Sequence, residues 1–324
     1  MPAWNISKKM YLRFRNFFQF RPFMGQGNPK AYLALFFVCI AWGTTYLGIR
    51  IAIEHFPPFF MAGFRQTVSG IILIILAFFY KKAMDYSWYN LLFQSLIGAL
   101  MISLGNGLVT WGEQYISSGM AAIICGLMPL IAVMINLMIN RGERLNGLIV
   151  SGLIVAFFGV GLIFKDNLAF IQERSYLWGL LAVFVATGTW ALGSVLSKQR
   201  FKPSNPVFNS GVQVTAGGLI LLLASGLLDE GGSLRGVAAE GWWTMIYLIV
   251  VGSVLAYSAY MYMLQHLPVG IATLYAYVNP VVAVIVGFLW YQERITHWTL
   301  LAILTILGGV FVVNVGYRRQ KKQR

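Results

Sequence analysis

Trp42, Tyr46 and Arg50 stand at i, i+4 and i+8, so a helix over this segment carries an indole, a phenol and a cation on one stripe. Such a stripe can hold an amphipathic or anionic solute, and it is a poor surface to show to hydrocarbon. Glu54, one turn further on, can pair with Arg50, and Arg50 can equally snorkel to an interface. Arg65 sits in "GFRQTVSG" beside Gln66, Thr67 and Ser69. A cation so placed either forms a gating ion pair, with Glu54 or Glu113, or attracts a carboxylate.

Asn106 and Thr110 follow in "ALMISLGNGLVTWGEQY", next to a stripe of Ala99, Ser103 and Gly107 small enough for close helix approach, and Trp111 ends the run. The amide of Asn106 needs a partner, on another helix or on a solute. Tyr257, Tyr275 and Asn279 form a second polar group near Pro280, while Tyr260, Tyr262 and Tyr277 add to the aromatic density there. A phenol and an amide in an otherwise apolar wall suit an amphipathic solute. Glu54, His55 and Glu113 come at the ends of apolar runs, where they read as solvated loop residues. His55, His266 and His297 all stand at such ends, and no HExxH, Gly-x-Ser-x-Gly or Walker A pattern occurs, so neither an enzyme nor an ATP-driven pump is expected. With two cysteines, Cys39 and Cys125, both inside apolar runs, no metal site or cofactor is expected either.

The elements that must position these residues are set by composition. Of 324 residues 58% are hydrophobic and 10% charged, and mean hydropathy is +0.71. A soluble domain is about a quarter charged. Apolar runs near 30–53, 59–80, 88–110, 117–139, 147–164, 176–197, 206–228, 242–264, 269–290 and 298–317 are each long enough, or nearly so, to cross a hydrocarbon core as a helix, and too long and unalternating for barrel strands. The expected fold is an all-α membrane protein of ten transmembrane helices. With the first loop outside, eighteen Lys and Arg fall on the inner side against four outside, which puts both termini in the cytoplasm. The net charge of +14 therefore reports orientation and contact with membrane lipid, not nucleic-acid binding. Residues 1–29, basic and aromatic without an apolar core, read as a cytoplasmic tail and not as a cleavable signal. Residues 318–324 form a second basic tail.

The chain also repeats. Gln114, Gly119, Ala121, Pro129, Ala132 and Val133 return as Gln265, Gly270, Ala272, Pro280, Ala283 and Val284, and after a one-residue slip Glu143-Arg144 matches Glu293-Arg294. Trp42 and Trp190 open weaker echoes of each other. With five spans in each half, 30–165 and 166–317, the second copy enters the membrane upside down. Inverted repeats place a binding site near the midplane at their interface, and paired prolines that free the carbonyls of Cys125 and Ala276 point to the same place.

The stretches "AWGTTYLGIRIAIEHFPPFFMAGFR" from Ala41, "GNGLVTWGEQYISSGMAAII" from Gly105 and "AYVNPVVAVIVGFLWYQERIT" from Ala276 resemble an EamA-type transporter of the drug/metabolite transporter superfamily. The resemblance spans residues 30–317. It implies two five-helix repeats around a central cavity and export of amino acids or related metabolites across a bacterial inner membrane. The basic-aromatic N-terminal tail is outside that pattern. The candidate substrate site is then Trp42, Tyr46, Asn106, Thr110, Trp111, Trp190, Tyr257, Tyr275 and Asn279, with Arg50, Glu54, Arg65, Pro129 and Pro280 as gating positions. A small solute and lipid are the expected partners, of a monomer or a homodimer. The alternative is a passive channel or a membrane-embedded structural partner.

Overall fold

The computed structural model describes residues 28–80, 82–139, 146–163, 174–199, 204–230, 236–291 and 297–322. Among them every regular element is a helix: α1 (Pro29–Ile53), α2 (Pro58–Ala77), α3 (Trp88–Gly112), α4 (Ser118–Cys125), α5 (Met128–Ile139), α6 (Gly147–Ile163), α7 (Arg174–Gln199), α8 (Pro206–Leu227), α9 (Ala239–His266), α10 (Val269–Ala272), α11 (Tyr275–Tyr291) and α12 (His297–Lys322). Seven stretches, α4 and the first turns of α5 counted as one, are long and apolar enough to cross a membrane, and three shorter apolar stretches lie in α6, α11 and α12. The tail before residue 28, the Glu143-Arg144 and Glu293-Arg294 pairs, and loop cations such as Lys81, Lys165 and Arg235 lie outside the described residues.

Local chemistry starts several helices where the sequence suggests. Asn28 Oδ1 accepts from Lys30 N at 3.1 Å with Pro29 opening α1, and Asn205 Oδ1 accepts from Val207 N and Phe208 N, both at 3.1 Å, with Pro206 opening α8. Each cap satisfies main-chain donors that the first helical turn leaves without partners. Ser117 caps α4 in the same way through Met120 N at 3.2 Å.

Large apolar side chains face outward, among them Leu304 at 71% exposure and Phe79 at 81%, as lipid-facing surfaces require. Inside, helices meet through small residues. A Cβ on Gly70 of α2 would lie 2.4 Å from the main-chain nitrogen of Thr215 in α8, and one on Gly309 of α12 would lie 2.4 Å from that of Ala156 in α6. Only hydrogen fits at such crossings. The stripe of Ser103 and Gly107 lies against α8, where Ser103 Oγ donates to Gly217 O at 2.9 Å.

Two features depart from the expected ideal helices. Residues Ala99–Asn106 of α3 and Leu248–Leu255 of α9 are π-helical, each a wider turn that holds extra residue length. The prolines do not sit at the breaks in the way their positions suggest. The chain breaks at Gly126-Leu127, just before Pro129, and at Thr273-Leu274, six residues before Pro280, which lies inside the continuous helix α11. Around the second break Ala276 N and Tyr277 N donate to carbonyls three residues back, Thr273 O at 3.1 Å and Leu274 O at 3.0 Å, so tight turns, not the proline alone, interrupt the α pattern.

Candidate functional site

A cavity lies where α1, α2, α3, α4, α5, α7, α9 and α11 converge, and its walls enclose about 710 Å³ counting the part open to solvent. Trp42, Tyr46, Arg65, Asn106, Trp190, Tyr257, Tyr275 and Asn279 all line it. Eight of the expected positions, scattered over the chain, are thus brought to one place. The lining of α1, α2 and α3 comes from Trp42–Ile49, Arg65-Gln66 and Ile102–Val109, so the cavity occupies the middle of the bundle and the half where α1 ends and α2 begins.

Its floor is aromatic. The ring centre of Trp42 is 5.4 Å from that of Trp190, 5.0 Å from Tyr260 and 4.9 Å from Tyr275, and Tyr260 stands 5.5 Å from Tyr275. Tyr257 joins through Trp190 at 6.4 Å. These edge-to-face and tilted contacts fix ring planes beyond what burial alone does. The indole of Trp42 also donates to Gly252 O at 2.9 Å, a carbonyl in the π-helical part of α9.

Below the floor, a chain of amides leads away from the cavity. Tyr257 Oη donates to Gln213 Oε1 at 2.5 Å, Gln213 Nε2 to Gln94 Oε1 at 2.5 Å, Gln94 Nε2 to Asn90 Oδ1 at 3.1 Å, and Asn90 Nδ2 to Asn209 Oδ1 at 3.1 Å. Each link of this chain pairs a donor with an acceptor inside the apolar interior. Further down, Lys198 Nζ donates to Leu264 O at 2.9 Å and also to Leu267 O, tying the end of α7 to the end of α9.

The polar wall is made by neighbours the sequence did not connect. Gln66 Nε2 donates to Asn106 Oδ1 at 3.1 Å, giving Asn106 a partner on another helix. Arg65 is 2% exposed; its Nε donates to Ser253 Oγ at 2.9 Å, and its Nη1 has no hydrogen-bond partner. Asn279, with its amide nitrogen turned toward the two carbonyls, donates to Tyr275 O at 2.9 Å and Cys39 O at 3.2 Å, so its nitrogen braces α11 against α1.

The other expected residues lie elsewhere. Thr110 is buried with Oγ1 donating to Asn106 O at 3.0 Å, and Trp111 packs 4.9 Å from Tyr115; neither lines the cavity. Arg50 Nη1 donates to the main-chain oxygen of Glu113 at 2.5 Å, and Glu54 is exposed. Pro129 and Pro280 do not line the cavity, though Ala276, whose carbonyl Pro280 leaves free, does. Glu113, read as a solvated loop residue, is 0% exposed. Thr45, Thr187 and Ser253 line the cavity without having been expected to. Thr45 follows Trp42 within one turn and Thr187 precedes Trp190 by one, so proximity to the two tryptophans was the available signal; Ser253 offered none.

The EamA-like transporter family matches residues 29–165 and again 177–315. The chain is 33% identical over 289 residues to the uncharacterized inner membrane transporter YedA of Escherichia coli K12, covering 87% of this chain and 90% of that one. It is 25% identical to the uncharacterized transporter YoaV of Bacillus subtilis, over 90% of this chain and 99% of that one, and 27% identical to protein PagO of Salmonella typhimurium, over 86% and 90%. One solved crystal structure superposes with a TM-score of 0.74 at 20% identity, over 91% of this chain and 99% of the other, a likeness of fold.

Proposed function

Because the chain belongs to the EamA-like transporter family, and its relative YedA is named an inner membrane transporter, we propose that it exports small metabolites such as amino acids across the bacterial inner membrane by alternating access. One observation carries this reading: both family-matched segments build the same cavity, Trp42 to Met128 from the first and Ala186 to Asn279 from the second. A solute seated between two halves is released by their relative rocking, whereas a site within one half is not. The aromatic floor and the polar wall suit a solute with an apolar body and one or two polar groups.

In this reading the ten apolar helical stretches are ten spans, in two five-helix halves of opposite insertion over 30–165 and 166–317. Tails at 1–29 and 318–324 and both termini then lie in the cytoplasm. The match of the family to two successive segments supports the two halves. So does the return of the π-helical stretch, in α3 and again in α9, at nearly the separation of Gln114 from Gln265. The aromatic floor, the amide chain and the Lys198 contacts then close the cytoplasmic side. A monomer can do all of this, and a homodimer would repeat it.

Counterflow in proteoliposomes tests the proposal. Vesicles preloaded with an unlabelled amino acid should accumulate the labelled one faster than empty vesicles. A channel gives no such trans-stimulation. If no member of a broad amino-acid and metabolite panel shows it, and cells lacking the protein match overproducing cells in efflux and tolerance, the export reading fails.

A further inference from the structure

Two buried ionisable side chains, one in the cavity wall nearest the α1–α2 turn and one a helical turn beyond it, each have polar atoms without partners. Arg65 lines the cavity with Nη1 unpaired. Glu113 begins the turn after α3, one helical turn past the lining residue Val109, and neither of its carboxyl oxygens has a hydrogen-bond donor. The charged groups acting on Glu113 are Arg50 of α1 and Arg65 of α2. Tyr46 of α1 and Cys125 of α4, both in the cavity lining, are the titratable side chains that feel its charge. From α7, Gly179, Ala182 and Val183 meet the adjacent Gly112 and add none, and Tyr247 of α9 acts on Arg65.

An unpaired guanidinium nitrogen in an apolar wall is satisfied by an oxyanion, and a carboxylate matches its fork. A buried carboxyl without donors exists either as an anion balanced by nearby cations or as the neutral acid. Arg50 already spends Nη1 on the Glu113 main chain, so Arg65 is the arginine a solute in the cavity meets. A second anion on Arg65 takes up part of the positive field that balances a Glu113 anion and adds its own repulsion. Proton uptake by Glu113 relieves both.

We propose that the cavity binds its solute through a carboxylate on Arg65 and that Glu113 takes a proton from solvent as it does so. This rests on the cavity being the transport site, and it narrows the solute to carboxylate-bearing molecules. For a monocarboxylate that bears no other charge the loaded carrier then gains no net charge. The membrane potential neither drives nor opposes its passage, and an acid accumulated inside leaves down its own gradient with its proton.

Phenylacetate and its uncharged analogue phenylacetamide are suitable probes, because both fit an aromatic floor and only one has a carboxylate. With the purified full chain, binding is read from tryptophan emission, since Trp42 and Trp190 line the cavity. Proton uptake is read with a pH dye in weak buffer. Between about pH 5 and 9, where phenylacetate stays ionised, its affinity should fall by up to about tenfold per pH unit, with up to about one proton taken up per anion bound. Phenylacetamide should bind without pH dependence and without proton uptake. Glu113→Gln should keep phenylacetate binding and lose both its pH dependence and the uptake, and Arg65→Gln should lose phenylacetate more than phenylacetamide. The wild-type proton count stands even where a variant fails to fold. Phenylacetate that binds with flat affinity and no proton uptake overturns the coupling. Phenylacetamide binding, or amino-acid counterflow, without phenylacetate binding overturns the carboxylate site and leaves the transport reading standing. Absence of all three overturns both.

Discussion

Trp42 holds four structural connections at once: three ring contacts, with Trp190, Tyr260 and Tyr275, and a hydrogen bond to Gly252 O. The two kinds can be separated. Trp42→Phe keeps an aromatic body and removes the indole donor to the Gly252 carbonyl, so it should cost about 0.5–1.5 kcal/mol in a reversible unfolding titration, whereas Trp42→Ala opens a hole among the rings and should cost about 3–5 kcal/mol. Equal effects would mean that the rings contribute nothing beyond the hydrogen bond. Asn279→Ala should likewise lower the apparent unfolding temperature, since it removes the brace from α11 to α1, and the loss should exceed that of Thr187→Ala, whose hydroxyl donates to a carbonyl of its own helix at 2.7 Å. Much of this residue layer was legible beforehand, because aromatic, amide and arginine side chains inside apolar runs need a polar or packed destination. Glu113 was not. In "WGEQY" it looks like the end of a span, and only the packing of α7 and the two arginines around it makes an interior position.

Helix length and polarity were readable from apolar runs, and α1, α2, α6, α7 and α8 begin and end within two or three residues of the expected bounds. Breaks were harder. Proline marks a lost donor in its own helix, but where the chain yields depends on neighbours, and the second break moved to Thr273-Leu274, ahead of the tyrosine floor. Glycine crossings show the same dependence. Gly308 and Gly309 are adjacent in α12, yet a Cβ on Gly308 meets nothing within 4 Å while one on Gly309 strikes α6. Gly308→Ala should therefore be neutral or stabilise by up to about 1 kcal/mol through helix propensity, and Gly309→Ala should destabilise and reduce the monodisperse fraction on size exclusion. The same order of effects in both variants would show that α6 and α12 are free to separate.

At the scale of the molecule, the proposed opposite insertion of the two halves makes a prediction that no packing detail enters. In a protein with Cys39 and Cys125 replaced, a cysteine at Glu143 should react with an impermeant thiol reagent only from the cytoplasmic side and one at Glu293 only from outside. Labelling of both from one side would remove the inverted arrangement and leave the cavity as a site between two parallel halves. The cavity itself depends on the π-helical stretches of α3 and α9, which supply Ile102, Gly105, Asn106, Gly252 and Ser253 to its wall. Their consequence appears in the arithmetic of chain length. A loop can gain or lose a residue and leave every helix where it was, and these wide turns do the same inside a helix: deleting one residue from Ala99–Asn106 would let that stretch relax to α geometry with Gly107–Gly112 keeping its face, whereas the same deletion within the α-helical Trp88–Gly98 would turn one side of the helix against the other by about 100°. Val109 and Glu113 would keep their places, while Ile102, Gly105 and Asn106, which lie within the stretch, would be redistributed along the wall. In these two stretches the number of residues is as much a part of the site as their identity.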